Sequence, residues 1–172
     1  TLASGDRFVE RFPAHPEAPK VLAKLAEQRF SLGDGEAASN AAQRLVDRYP
    51  HTDPQLRRNS WLVIAHHAFD QQRFQAAENG YQQALSLTGT SAKDRGSIVD
   101  RLGASVYKQA EQLRAQGDLN GAVETFLKVA RVAPRSSIRA TADFDAAAAL
   151  LADRQWQRAA VVLEGFRRQH PK

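Results

Sequence analysis

Apolar residues recur along the chain at the spacing of amphipathic helices, and no run of alternating valine, isoleucine and aromatic residues predicts a strand. The pattern predicts eight helices, at residues 16–32, 35–49, 54–71, 74–87, 91–116, 119–132, 137–152 and 155–169. Residues 5–12 have the character of the end of an earlier helix. Gly33 and Gly117 fall in short turns between consecutive helices, where glycine commonly follows a helix end. We therefore expect an all-α fold.

Two helix starts have their own signals. Asp53 precedes Pro54, an N-cap residue followed by the proline that suits the first helical turn. Ser91 with Asp94 resembles a capping box. This second start makes 91–116 longer than the other predicted helices. A break near Gly96 is the alternative, because glycine weakens a helix interior.

Four pairs of alanines divide the chain into repeats. In each pair the second alanine comes twelve residues after the first. The pairs are Ala26 and Ala38, Ala65 and Ala77, Ala110 and Ala122, and Ala147 and Ala159. Four residues after each pair comes a residue that would fill the adjoining gap, namely Ala42, Tyr81, Phe126 and Leu163. Eight residues further, proline or glycine ends the second helix, at Pro50, Gly89, Pro134 and Pro171. Two antiparallel helices can approach closely where both present small residues, so each unit is predicted to be a helix pair.

This pattern resembles the tetratricopeptide repeat, whose signature places tryptophan, leucine-glycine and tyrosine in the first helix and alanine, phenylalanine and proline in the second. The second unit matches it best, with Trp61, Ala65, Ala77 and Tyr81. The resemblance implies a right-handed superhelical solenoid of antiparallel helix pairs. It would contain about four units, at 16–50, 54–89, 91–134 and 137–171, after the tail at 5–12. We take residues 1–172 as one repeat domain.

The sequence also departs from the family pattern. Asp143 stands where the family prefers tryptophan, and Arg29 where it prefers tyrosine. The units are spaced by 39, 45 and 37 residues, whereas about 34 is usual. Residues 8–13 mirror residues 45–50, which predicts that the chain is a piece of a longer array with adjoining repeats of its own.

Composition narrows the possible functions. The formal net charge is +5, with 24 basic and 19 acidic residues. The two signs are interspersed, whereas a nucleic-acid-binding protein concentrates positive charge on one face, so nucleic acid is not the expected partner. The chain has no cysteine, which excludes disulfides and thiolate chemistry. No apolar run approaches the roughly 18 residues that a membrane span requires.

No arrangement of residues predicts catalysis or a bound metal. His66 and His67 are adjacent and would point about 100° apart on a helix, so they cannot chelate one ion together. Asp70 lies one turn after His66, but no third ligand has a suitable spacing. Asp143 and Asp145 face different sides of a helix, so they do not form a catalytic carboxylate pair. We expect no enzyme activity, cofactor or metal.

The resemblance implies instead that one face of the first helices binds an extended peptide or a helix of another protein. Carrying the family pattern across gives a set that we call the first-helix row: Phe30, Asn59, Leu62, His66, Phe69, Tyr107, Glu111, Arg114 and Phe144. Stacked units would place these residues along a concave wall. The alternative is that the aromatic members only pack between repeats.

A narrower resemblance concerns the helix endings at residues 11–13, 48–50 and 169–171, which together with the stretched period are similar to bacterial cell-envelope repeat proteins. Those include the outer-membrane assembly lipoprotein and the periplasmic coordinator of the Tol–Pal system. This resemblance implies a periplasmic or outer-membrane-associated scaffold that helps to assemble or coordinate an envelope complex. A glycan- or peptidoglycan-binding module and an interaction domain of a cytoplasmic regulator are the alternatives.

Overall fold

The computed structural model describes residues 1–89 and 93–169, and every regular element in these ranges is an α-helix. The helices are α1 Leu2–Arg11, α2 Ala18–Ser31, α3 Gly35–Arg48, α4 Pro54–Asp70, α5 Phe74–Ser86, α6 Arg95–Ala115, α7 Leu119–Val132, α8 Ile138–Ala152 and α9 Trp156–Gln169. The all-α prediction is confirmed. The chain forms two compact units, at residues 1–95 and 96–172. From here on, these are the first and second units, and the four predicted helix pairs are called repeats. The first contains α1 to α5, and the second contains nearly all of α6 and then α7 to α9.

Helix α6 begins later than the sequence pattern predicted. It starts at Arg95 instead of residue 91, next to the glycine that offered the alternative boundary, and it has 21 residues. The predicted cap at Ser91 lies outside the described residues. The guanidinium of Arg95 donates hydrogen bonds to the carbonyl oxygens of Leu85 and Thr88, at 3.3 and 2.9 Å. These bonds tie the start of α6 to the end of α5, and Asp94 just before it pairs with Arg58.

The alanine pairs lie at the contacts between helices, as the repeat arithmetic predicted. All eight of these alanines are at most 1% exposed. In the first compact unit α4 and α5 approach closely, because a Cβ placed on Gly80 would lie 2.8 Å from the Cβ of Ala65. The helices can come this close because neither residue has a long side chain.

The turns inside two helix pairs have the same geometry. Asp34 caps α3 by accepting a hydrogen bond from the backbone N–H of Ala37, and Asp118 caps α7 by accepting one from Gly121. The preceding residues Gly33 and Gly117 have φ angles of +80° and +84°, a region that glycine enters without strain. The predicted turn glycines are therefore confirmed.

Helix α1 ends in the same way as the second helices of two later pairs. The residues that follow α1, α3 and α7 are Phe12, Tyr49 and Ala133, with φ near −130° and ψ near 60° in each case. Each donates its backbone N–H to the carbonyl oxygen four residues earlier. The predicted likeness between residues 8–13 and 45–50 is thus a likeness of backbone conformation as well as of sequence.

The two departures from the family pattern are accommodated by ion pairs. Arg29 in α2 reaches Asp6 in α1 at 2.5 Å, and both side chains are largely removed from solvent. Asp143 in α8 is 7% exposed and lies 3.7 Å from the guanidinium of Arg139, one turn earlier. A charge buried with an opposite charge avoids much of the penalty of burying it alone. These positions therefore accept charged residues where the family uses aromatic ones.

The predicted burial of one residue, Leu163, is wrong. Leu163 was expected to fill a gap like its counterparts Tyr81 and Phe126, which are fully buried, but it is 37% exposed. Its helix α9 also exposes Trp156 and Val161. The reason is local: α8 covers the matching side of α7, whereas within the described residues of the second unit no helix covers this side of α9.

Ser60 is a buried polar residue whose replacement would show how much an unpaired hydroxyl costs in stability. Its residue is 2% exposed and its hydroxyl oxygen has no hydrogen-bond partner among the described residues. A buried polar group without a partner costs about 1–3 kcal/mol. The corresponding residue of the fourth repeat, at 137–171, is Ala142, which is also fully buried. We expect Ser60→Ala to raise the free energy of unfolding by roughly 1 kcal/mol in urea titrations.

Ser105 is the matched control, because it occupies the same repeat position 45 residues later and is also buried. Its hydroxyl donates a 2.9 Å hydrogen bond to the carbonyl oxygen of Arg101. Ser105→Ala removes that bond and is expected to give no gain in stability. Equal gains from the two substitutions would show that helix propensity, and not the partnerless hydroxyl, is responsible.

Candidate protein-binding face

In the first unit, the first-helix row forms an aromatic column. Phe30, at the end of α2, is 41% exposed and stacks on the imidazole of His66 in α4, with ring centroids 5.9 Å apart. The same imidazole also meets the ring of buried Tyr81 edge to face, with centroids 5.5 Å apart. The structure therefore brings two predicted residues of different helices together and supports them from beneath with a core side chain.

The remaining predicted residues of this unit are half-buried. Asn59 and Leu62 lie along α4 before His66, and Phe69 follows it. The ring of Phe69 meets that of Phe74 edge to face at 5.1 Å, and Phe74 is buried. Phe69 thus takes part in packing within the unit, which was the alternative reading of the aromatic residues, while part of its ring faces solvent.

In the second unit the row is organised by a hydrogen-bonded cluster between α6 and α8. The hydroxyl of Tyr107 donates a 2.5 Å hydrogen bond to Asp145, and the guanidinium of Arg114 lies 3.5 Å from the other oxygen of that carboxylate. The ring of Tyr107 packs at a tilt against the buried ring of Phe126, with centroids 5.3 Å apart, and the guanidinium of Arg114 lies over the same ring at 5.4 Å. One carboxylate therefore fixes two predicted residues, and we call these three the Tyr107–Asp145–Arg114 cluster.

This environment changes the acidity of the phenol. Burial raises the pKa of Tyr107 to about 12, and the hydrogen bond to Asp145 and the nearby charges of Asp145 and Glu111 act in the same direction. Arg114 opposes them to a smaller extent. The phenol consequently stays protonated and keeps donating its hydrogen bond at every physiological pH.

Beside the cluster, α8 presents an apolar strip to solvent. Phe144 is 59% exposed and Leu151 is 41% exposed, with exposed Ala148 between them. These residues are spaced by four and three, so they lie on one side of the helix. On α6, Glu111 forms an ion pair with Lys108 at 2.7 Å. The face thus combines exposed apolar groups with charges that are already paired.

Asp145 was not among the predicted binding residues. The sequence indicates only that it lies on a different side of α8 from Asp143, and the structure confirms this, because the two carboxylates have different partners. A signal was available in its position directly after Phe144, since the neighbour of a row residue can reach the preceding first helix. The distance to the phenol of Tyr107 could not be read from the sequence.

The elevated pKa gives a pH-dependent prediction. An ordinary tyrosine in the unfolded chain ionises near pH 10, whereas Tyr107 in the folded chain ionises near 12. Between these values the folded state binds the extra proton, so stability that is present below pH 10 falls as pH rises toward 12. We expect the loss to be on the order of 1 kcal/mol, because the phenol is partly solvated.

Urea unfolding at pH 9 and pH 11 would measure this effect. Tyr107→Phe should remove its contribution, so that the difference in unfolding free energy between the two pH values becomes smaller than in the parent. A Tyr107→Phe protein with the same pH dependence as the parent would contradict the link between this phenol and stability.

Neither a metal-binding cluster nor a helix fit to span a membrane is present in the described part of the chain. Among the described residues, no three histidine, cysteine or carboxylate side chains come together in a group that could hold a metal ion. His67 points away from His66 and lies against the start of α3, where a Cβ on Gly35 would be 2.8 Å from its Nδ1. None of the helices in the described ranges combines the length and apolar character needed to cross a bilayer.

Comparison with known families bears on one helix pair directly. Residues 104–136, which contain most of α6 and all of α7, match the sequence profile of the tetratricopeptide repeat. These residues are therefore similar to one tetratricopeptide repeat. The match falls on the third predicted repeat, at 91–134. The buried alanine pairs extend the same helix-pair pattern to the other repeats. The resemblance to cell-envelope repeat proteins is not confirmed by this match. No curated protein matches the sequence.

Several solved structures have similar folds. Tetratricopeptide-like repeats assigned to a kinesin light chain of Podosopora anserina are 17% identical, with 96% of this chain and 83% of that chain covered and a TM-score of 0.50. MamA is 16% identical over 96% of this chain and 84% of its own, with a TM-score of 0.48. BtubC from P. vanneervenii is 21% identical over 99% and 74%, with a TM-score of 0.45. At 17% identity, the likeness to the first of these structures is one of fold alone.

Proposed function

We propose that this chain is a non-enzymatic protein-interaction scaffold that binds a segment of another protein through the face around Phe144 in the second unit. The observation that carries the proposal is the exposed apolar strip of α8 beside the fixed Tyr107–Asp145–Arg114 cluster. A large aromatic side chain left in water next to a rigid polar group is the arrangement found at the centre of many protein interfaces.

The charges of this face favour an apolar anchor in the partner. Lys108 is paired with Glu111, and Arg114 with Asp145, so these four charges already have opposite partners. A partner segment would therefore gain most by covering Phe144 and Leu151. Its polar groups would fix its direction at Arg114, whose distance of 3.5 Å from Asp145 leaves guanidinium donors available for a partner's acceptor.

The cellular setting belongs to the same proposal. We place the scaffold in the periplasm or at the outer membrane of a bacterium, in an assembly of the cell envelope. The support is the recurrent helix ending at residues 11–13 and 48–50, where arginine, an aromatic residue and proline follow one another and the backbone conformations agree. Fractionation of the source cells would test the setting, and recovery of the protein only in the cytoplasm would contradict it.

Site-specific photocrosslinking would test the binding face. A benzophenone side chain at position 144 should form an adduct with a protein partner in extracts of the source cells. The same group at position 161, where Val161 is 71% exposed on α9, is the matched control. Adducts at both positions, or only at 161, would show that this face is not the binding surface. A carbohydrate adduct at 144 would favour the glycan-binding alternative.

A further inference from the structure

A second surface of the first unit has the character of a ligand site, and it does not include the first-helix row. It is an open cavity of about 860 Å³ between the start of α3, the end of α4 and the start of α5. Its polar lining includes Glu36, Asn40, His67, Asp70 and Arg73. None of these five side chains makes a hydrogen bond or ion pair with any residue that the structure describes.

The second unit contains the same gap between the start of α7, the end of α8 and the start of α9. The equivalence rests on the backbone. Arg73 donates its N–H to the carbonyl of Ala68 at 2.8 Å, and Gln155, 82 residues later, donates to Leu150 at the same distance. The residues just before them, Gln72 and Arg154, have φ angles of 56° and 58°.

In the second unit this gap is closed by side chains. The amide of Gln155 donates to Asn120 at 3.0 Å, and the guanidinium of Arg158 donates to Glu124 at 2.6 Å. Arg158 also donates to the side-chain oxygen of Gln155 at 2.6 Å. A guanidinium therefore bridges the second helix of one pair and the second helix of the next.

The first unit lacks that bridge because alanine replaces arginine. Counting 82 residues back from Arg158 reaches Ala76, whose methyl group cannot span the gap. Counting 84 residues back from Glu124 and Asn120 reaches Asn40 and Glu36, which keep oxygen acceptors on the α3 side. The acceptors are thus retained while the donor is missing.

The charge of the lining favours a cation in the vacant position. Asp34, Glu36 and Asp70 contribute three carboxylates against the single guanidinium of Arg73, on a chain whose overall formal charge is +5.

We propose that this cavity binds a guanidinium group, which occupies the place that Arg158 fills in the second unit. Its N–H groups donate to the carboxylates of Glu36 and Asp70 and to the amide oxygen of Asn40. The group is supplied either by an arginine side chain of a polypeptide or by a free guanidino compound. The site is independent of the face around Phe144, so either can fail without the other.

Titration of the folded, isotope-labelled chain by NMR would test the proposal, with N-acetylarginine methylamide and methylguanidinium as probes. Saturable shifts are expected in the amides of residues 34–40 and 67–73. Glu36→Gln or Asp70→Asn should weaken binding by about tenfold, because each removes a charged acceptor. Glu10→Gln, which neutralises an exposed carboxylate on α1 outside the cavity, should leave the affinity unchanged.

A second variant closes the gap from within. Asn40→Glu combined with Ala76→Arg recreates the pair formed by Glu124 and Arg158, and it should abolish probe binding without lowering the melting temperature. Binding of only the peptide-like probe would identify a polypeptide arginine, and binding of both probes would show that a free guanidino compound suffices. Shifts that do not saturate, that persist in Glu36→Gln, or that appear with N-acetylglutamate methylamide instead would overturn the proposal.

Discussion

Replacing Gly80 with alanine is expected to lower the free energy of unfolding by about 1–3 kcal/mol, even though alanine is the better helix former. The added Cβ would lie 2.8 Å from the Cβ of Ala65 and 3.1 Å from its Cα. The backbone of α4 cannot move aside as a flexible side chain could, so α4 and α5 would have to separate. Separation would also loosen the packing of neighbouring Ala77 and Tyr81, which are fully buried.

Gly165 provides the matched control, because it lies inside α9 and a Cβ there would meet nothing within 4 Å. Gly165→Ala is expected to raise the free energy of unfolding by about 0.5–1 kcal/mol, the usual gain for this change in a helix interior. Urea unfolding followed by circular dichroism would measure both variants. A gain at both positions would mean that α4 and α5 are not as closely packed at Gly80 as the structure indicates.

The helix pairs could be predicted from the sequence because their determinants are local. A helix contact that requires two small residues fixes which residue types are tolerated, and the alanine spacing of twelve records that constraint four times. Turn glycines act within a few residues, so Gly33 could be assigned without knowledge of the rest of the chain. The start of α6 at Arg95 could not be placed from local signals alone, because the Arg95 guanidinium bonds to carbonyls at the end of α5, which the sequence does not reveal.

The partners of individual side chains could not be predicted, because they depend on distances between helices. The sequence shows Arg29 at a position where the family prefers an aromatic residue. It does not show that Asp6 on α1 lies close enough to form an ion pair with it. It likewise places Tyr107 in the first-helix row without indicating that Asp145 on α8 holds its hydroxyl. The exposure of Leu163 was missed for a related reason, since burial of a residue in a repeat depends on the next helix and not on its own unit.

These partners decide which residues can test the binding face. Tyr107 and Phe69 pack against core rings, so their truncation disturbs folding as well as binding. Arg57 on α4 would be a poor control away from the row, because it is half-buried and its Nε has no hydrogen-bond partner among the described residues. Phe144 avoids these problems because most of its side chain is in solvent.

Phe144→Ala is expected to weaken partner binding by about 30-fold, which corresponds to roughly 2 kcal/mol, while the melting temperature stays close to that of the parent. The ring contributes little to the folded monomer, since it is 59% exposed, but in the complex it would be desolvated against the partner. Trp156→Ala is the matched control: it removes a similarly exposed aromatic residue, 61% in solvent, from α9. Calorimetric titration of the crosslinked partner, once purified, into the three folded proteins would measure the affinities. Equal affinities for Phe144→Ala and the parent would show that Phe144 does not contact the partner. A loss of affinity confined to Trp156→Ala would place the binding surface on α9 instead of α8.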